Sequence, residues 1–424
     1  MKRFLLALLL ASTAFTMQAQ VRTCATMDVL HQHLQNNPQL VSNYETTKQL
    51  IADQAAAQSA QRKTRAIVTI PVVVHIIHDG AQIGSGLNIS DTQVLSQLDA
   101  LNEDYRLFNA DSLPTNHPFW SFTADAQIQF CLAKRDPQGN ATTGIMRYTL
   151  SGTGGNQISA FDMDNTIKPQ AIWDPARYLN MWVANLGGGL LGYATFPGQG
   201  TSTTDGVVIR TVNFGYVGNV QAPYDNGRTA VHEVGHYLGL YHIWGDDTMS
   251  CIGTDQVADT RNAGGPNYGS PSFPHKAGEC GNDGNGVMYM NYMDYVDDNY
   301  MVMFTAGQVD RMRSVLATTG PRAQLTANPT LCQYPTSTAD ITSRNAVTVF
   351  PNPVQDILSV NVPQMAGELS ATVVNVAGAT VVAPKVYAVQ GGSIFVDVKS
   401  LPAGVYVLQV TQHGSTVSKR FVKS

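Results

Sequence analysis

Hydrophobic residues along the chain recur every second position in some stretches and every three or four in others, with polar stretches that follow neither period. The first twenty residues, MKRFLLALLLASTAFTMQAQ, place Lys2 and Arg3 before an apolar run from Phe4 to Ala11, with small or polar residues following to Ala19. A positive start, a short apolar core and a small-residue end mark an export signal, and the run falls far short of the roughly 20 residues that span a bilayer. We assign residues 1–19 to this signal and expect no membrane span elsewhere. Residues 20–64 are rich in Gln, Ala, Thr and Asn and lead into the basic cluster Arg62, Lys63 and Arg65, which reads as a helical, detachable segment. The texture then changes to IVTIPVVVHII, Ile67 to Ile77, a β-branched run suited to a strand buried on both faces. Ser90 to Gln93 fits a capping box, and Val94, Leu98, Leu101 and Tyr105 follow at helical spacing. Strand signals return at Ala126 to Leu132, at Leu179 to Ala184 and at Asp205 to Ile209. This order of strand, helix, strands and a long helix indicates an α+β domain over residues 65–335.

Past Pro335 a Thr/Ser-rich linker, residues 336–344, leads into short alternating runs separated by Gly, Pro and Asn: VTVFPNP, ILSVNVP, LSATVVNVAG, IFVDVKSLPAG, VYVLQVTQHG and VSKRFVK. Turn signals at that spacing predict a small all-β sandwich over residues 345–424.

Charge narrows the classes of function. Only 13% of the 424 residues are charged, about half the roughly 25% usual for soluble domains, which argues against a disordered chain. A net charge of -5 and the lack of a dense Lys/Arg run exclude a nucleic-acid surface. The five cysteines leave at least one unpaired if the others bond.

The chemistry concentrates at HEVGHYLGLYH, His232 to His242. His232 and His236 are four apart, so on a helix both imidazoles project from one face and can share one metal ion. Glu233 is placed to hydrogen-bond a water on that metal. Gly239 offers the left-handed conformation that ends the helix and lets His242 arrive as a third ligand. Three neutral nitrogens leave a fourth tetrahedral position open, which marks a catalytic zinc site rather than a structural one. A bare HExxH arises by chance in helices, but the added Gly and His are the signature of the metzincin peptidases, which also carry a downstream methionine turn. NYMDY supplies that turn, with Met293 as the floor under the metal.

From Ile70 to about Leu316 the chain resembles the pappalysin family of metzincins, through IPVVVHII, DPQGNATTGI, ANLGGGLLGYATFP, HEVGHYLGLYHIWG and NYMDYVDDNYMVMFTAGQVDRM. The resemblance implies a catalytic domain with a mixed twisted sheet and an active-site helix, its two subdomains flanking a substrate cleft. It implies a secreted zinc endopeptidase acting on proteins or peptides, with Glu233 as general base and Tyr295 steadying the tetrahedral intermediate. The Asp/Gly/Asn-rich loop after His242 suits calcium as well as it suits a plain solvated loop. The resemblance favours calcium, with Asp247, Asp255 and Thr260 as side-chain candidates and Val257 contributing its carbonyl. It also implies a disulfide between Cys251 and Cys280. Cys131 and Cys332 can form a second, although spacing alone leaves the connectivity open.

Cys24 in VRTC remains. A thiolate at the open position of the metal would displace the catalytic water, and similar zymogens carry such a cysteine, preceded by arginine as Arg22 precedes it here. The other reading is a cysteine that anchors a lipid or an intermolecular bond. Some pappalysins prefer a basic residue after the scissile bond, which makes Thr64–Arg65 a self-cleavage site. Asp297 or Asp298 would then line an Arg/Lys pocket, unless both are simply turn residues. The tail, through VFPNPVQD, GVYVLQV and KRFVKS, resembles the C-terminal sorting domain of type IX secretion, which implies the type IX machinery as a partner and a secreted or cell-surface location. The competing expectation is a catalytically silent binding protein or adhesin on the same fold; the intact His232, Glu233, His236, His242 and Tyr295 speak against it.

Overall fold

Strand β1 (Val68–His78) runs through the centre of the larger unit, and Ile70 to Ile77 are buried on both faces of the sheet. Alternation decides where each side chain goes. Ile70, Val72, Val74 and Ile76 enter one core layer, while Val73 and Ile77 enter smaller clusters on the other face. The chain is described here from a computed structural model covering residues 21–149, 157–246, 251–334, 347–362, 368–375, 378–389, 393–412 and 415–424. The assigned export signal, the 336–344 linker and Asp247 fall outside these residues. Two compact units form, Met1–Tyr334 and Pro335–Ser424.

In the first unit the segment before the catalytic domain is helical: α1 (Thr26–Asn36) and α2 (Pro38–Ala60), the latter capped by the Asn37 side chain and started by Pro38. After β1 come α3 (Asp91–Tyr105), β2 (Ile128–Leu132), β3 (Ile145–Thr149), the short α4 (Ala160–Asp162) and α5 (Lys168–Ala171), β4 (Leu179–Ala184), β5 (Gly192–Ala194) and β6 (Val207–Arg210). Ser90 caps α3 by accepting from the Gln93 amide, and Val94, Leu98, Leu101 and Tyr105 are buried. The sheet runs β2-β1-β4-β6-β5, with β3 also pairing β1 beyond the end of β2. All neighbours are parallel except β5, which is antiparallel to β6, so the sheet is mixed. Helix α6 (Arg228–Tyr237) packs against β5 and β6 with every residue buried. Beyond it lie the two-residue strands β7 (Tyr268–Gly269) and β8 (Tyr295–Val296) and helix α7 (Ala306–Leu316), against which α2 packs.

The strands of the second unit pair antiparallel in two sheets. Strands β9 (Thr348–Phe350), β10 (Ile357–Asn361) and β13 (Ser393–Asp397) form one sheet; β12 (Thr380–Ala388), β11 (Glu368–Asn375), β14 (Gly404–Gln412) and β15 (Ser415–Lys423) form the other. Leu358, Val360, Ile394 and Val396 of the first share a core with Ala371, Val373, Leu408, Val410 and Phe421 of the second. Strand β12 had no counterpart among the predicted runs. It is an edge strand carrying Pro384 and is largely exposed, so it lacks the alternation of a half-buried strand. Among the described residues no helix is long and apolar enough to cross a membrane.

Candidate active site

Helix α6 delivers His232 and His236 to one face, and Gly239 at φ +87° turns the chain so that His242 returns to the same point. The His236 Nε2 atom lies 3.1 Å from Nε2 of both His232 and His242. Each Nδ1 faces an acceptor: the Tyr292 carbonyl at 2.7 Å for His232, the Leu240 carbonyl at 2.7 Å for His236, and the Asp246 carboxylate for His242. A carbonyl only accepts, so Nδ1 of His232 and of His236 carries the proton and their Nε2 lone pairs are bare. Burial and the neighbouring imidazoles push His232 well below the ordinary histidine range, and the same causes push His236 to about 3. Bare lone pairs packed this closely repel one another unless a cation sits between them. The donor set therefore fits zinc, and the Cys24 sulfur completes it, all four ligand atoms lying within 4.8 Å of one another.

Beneath the group lies Met293, fully buried in the turn that follows the loop region. A Cβ on Gly235 would stand 2.5 Å from its Sδ, so a larger residue at this position of the active-site helix would have to push the Met293 side chain aside. Tyr295 on β8 packs edge-on against His242 at 4.9 Å, and its hydroxyl donates to the Cys24 carbonyl at 3.4 Å.

The segment around Cys24 lies in the cleft alongside β5: the Leu191 amide donates to the Thr23 carbonyl at 3.0 Å and the Ala25 amide to the Gly192 carbonyl at 3.3 Å. Thr26, which sequence reasoning passed over, accepts from the Ala194 amide at 2.8 Å and donates to Glu233 Oε2 at 2.9 Å. The Cys24 thiol also donates to Glu233 Oε2, at 3.3 Å. Burial pushes the Glu233 carboxyl up to about 7, against the pull of these two donors. Burial and the adjacent Glu233 carboxylate together push the Cys24 thiol well above its usual range.

Arg22 enters a closed pocket. It is 1% exposed, donates to Asp298 Oδ1 at 2.5 Å and to the Val296 carbonyl at 3.3 Å, and lies 4.7 Å from the Tyr224 ring centre. Asp298 is fully buried and also accepts from the Asn226 amide at 2.8 Å. Asp297 points elsewhere, accepting from the Ser270 hydroxyl at 3.1 Å.

Of the loop candidates, Asp255, Val257 and Thr260 come together: Thr260 donates to Asp255 Oδ2 at 2.6 Å and to the Val257 carbonyl at 2.8 Å. Burial pushes Asp255 up to about 7. Cys251 is bonded to Cys280 and Cys131 to Cys332, with Cys24 free. Thr64 lies in the turn after α2, while the Arg65 side chain is 5% exposed and pairs with Asp310, which also holds Arg62.

A three-imidazole metal site with a glutamate beside the first ligand and a methionine beneath defines a metzincin-type metalloprotease. Residues 162–317 match the family described as "Pregnancy-associated plasma protein-A", and residues 348–424 match the secretion system C-terminal sorting domain. An extracellular metalloprotease of Arthroderma benhamiae is 31% identical over 262 residues, covering 60% of this chain and 80% of that relative. Mature mirolysin of Tannerella forsythia, solved in complex with a cleaved peptide, is 49% identical over 62% of this chain and 96% of its own, with a TM-score of 0.58. A promirolysin mutant from the same organism is 44% identical over 72% of this chain and 97% of its own, with a TM-score of 0.63. The chain belongs to the pappalysin family of metallopeptidases and is a secreted, extracellular zinc metalloprotease carrying a type IX sorting domain.

Proposed function

We propose that the chain is the latent precursor of an endopeptidase that cuts protein or peptide substrates before Arg or Lys, and that residues 20–64 are the pro-segment holding it silent. The observation that carries this reading is the seating of Arg22 and Cys24 together, the guanidinium on Asp298 and the sulfur among His232, His236 and His242. A segment that fills a basic-side-chain pocket and the metal site at once imitates an occupant the cleft is built to take. The larger share of this chain matched by promirolysin than by mature mirolysin is in keeping with a precursor.

In this reading zinc, when bound, acts as a Lewis acid on the scissile carbonyl and lowers the pKa of a water to roughly 7. Glu233 takes the proton from the attacking water and later hands it to the leaving amine. The Tyr295 hydroxyl, freed from the Cys24 carbonyl once the pro-segment leaves, donates to the substrate oxygen as negative charge develops on it. Met293 keeps the floor of the site apolar, and Asp298 pairs with the basic side chain after the scissile bond.

Maturation cuts Thr64–Arg65 with the same preference. The oxygens of Asp255, Val257 and Thr260, together with Asp247, hold a structural calcium, so a calcium-specific chelator lowers the melting temperature. Cleavage sites mapped in a mixed peptide pool with matured enzyme test the reading: Arg or Lys dominates the position after the cut, and an even distribution there rejects it. N-terminal sequencing of the matured protein begins at Arg65.

A further inference from the structure

The three imidazoles are not held alike. His232 sits inside helix α6 and His236 near its end, and both rings are fixed from behind by backbone carbonyls of the buried core, Tyr292 and Leu240. His242 lies past the end of the helix, beyond the left-handed turn at Gly239, where among the described residues no such carbonyl meets its Nδ1. What meets it is the carboxylate of Asp246, four residues on, whose own backbone takes the left-handed conformation at φ +56°. One carboxylate oxygen accepts a hydrogen bond from the His242 Nδ1–H, and the other accepts from the His242 backbone amide at 3.4 Å. The Trp244 ring stacks on His242 at 4.4 Å with the planes 4° apart, which limits tilting, and Tyr295 packs edge-on at 4.9 Å, but neither contact selects which ring nitrogen carries the proton. Among the described residues, Asp246 is the Nδ1 partner that fixes the tautomer and the direction of Nε2.

We propose that Asp246 is the positioning residue of the metal site: its carboxylate fixes His242 with Nε2 bare and aimed at the metal, so that a loop-borne ligand is as well ordered as the two on the helix. The inference rests on the zinc reading of the three histidines. Carboxylates placed behind ligating histidines are worth about 10–100-fold in metal affinity. They act by holding the ring in its binding orientation before the ion arrives and by raising the donor strength of the imidazole. The left-handed backbone at Asp246 is a conformation that residues other than glycine adopt less readily, and it persists where the surroundings hold it. Here the two bonds to His242 are what it obtains.

The test is zinc affinity of the latent full chain, measured by competition with a chromophoric chelator, for wild type, Asp246→Ala, Asp246→Asn and His242→Ala. Asp246→Ala weakens zinc about 10–100-fold, while Asp246→Asn, which keeps an oxygen to accept from Nδ1, recovers most of that loss. The visible spectrum of the cobalt-loaded chain changes in band shape with Asp246→Ala and returns towards wild type with Asp246→Asn. Zinc affinity of Asp246→Ala within twofold of wild type overturns the inference. So does an equal loss in both Asp246 variants accompanied by altered near-ultraviolet circular dichroism of the zinc-free chain, since that reports a folding role. If His242→Ala itself binds zinc as wild type does, the zinc reading fails, and it does so independently of Asp246.

Discussion

Arg22→Ala opens the latent chain. Arg22 and Asp298 are 1% and 0% exposed, so the pair has exchanged water for each other and for a few fixed dipoles. Removing one member of such a pair costs about 3–5 kcal/mol, because the remaining charge stays buried without its partner. Asp298 keeps two backbone donors, the Asn226 amide at 2.8 Å and the Arg228 amide at 3.3 Å, which places the expected loss near the lower end, about 3 kcal/mol. At about 1.4 kcal/mol per factor of ten, the open fraction of the pro-segment rises about 100-fold. The assay uses precursors in which Arg65→Ala removes the basic residue of the proposed maturation site, and follows the initial rate on a quenched fluorescent peptide carrying Arg after its scissile bond. The Arg22→Ala precursor is about 100-fold more active than its parent, and Arg22→Lys lies between them. Equal rates for Arg22→Ala and parent, with zinc retained in both, would refute the claim that this buried pair holds the cleft shut.

Three further outcomes follow from the same contacts. Asp298→Asn in the matured enzyme keeps the acceptor for the Asn226 amide but removes the buried charge, so kcat/KM for a peptide with Arg after the cut falls by at least about 30-fold while a neutral peptide is little affected; parallel losses on both peptides would contradict this. Ile51 of α2 is 1% exposed and packs into the catalytic core, so Ile51→Ala costs about 2–5 kcal/mol of pro-segment docking. Once cut, that fragment separates from the enzyme on gel filtration, and co-elution at wild-type levels would count against it. His75, buried on β1 and donating to Asn180 at 2.9 Å, has its pKa pushed down to about 4 by burial. The unfolded chain binds this proton more readily, near pH 6.5, so stability is present above that pH and is lost as pH falls towards 4, by roughly 2 kcal/mol between pH 7 and pH 5. Urea midpoints of wild type and His75→Gln at the two pH values check this: the variant lacks that part of the drop, and identical drops would exclude it.

How much of this was legible in advance follows from how far each signal reaches along the chain. The metal-binding helix was legible because its spacing is local: four residues return His236 to the face of His232, and Gly239 marks where the helix must end. The central strand was legible because burial on both faces demands a continuous apolar run. Asp246 lies four residues after His242, but in a loop dense in Asp, Gly and Asn one carboxylate looks like the next, and only the fold shows that this one meets Nδ1. Thr26 and Asp310 carried no local mark. Thr26 meets Glu233 across 207 positions and Arg65 meets Asp310 across 245, and an isolated Thr or Asp has many uses. The pocket for Arg22 was half legible: the basic residue and the acid pair were visible, but only the fold distinguishes Asp298, which receives the guanidinium, from Asp297, which turns to Ser270.

The central claim is that Glu233 performs the proton transfers at a zinc held by His232, His236 and His242. The measurement that tests it most directly is zinc content together with casein hydrolysis in the matured Glu233→Ala enzyme. Since Glu233 binds no metal in this account, the variant retains one equivalent of zinc and loses hydrolysis by at least two orders of magnitude. Substantial residual hydrolysis with zinc in place, or loss of the zinc itself, would contradict it.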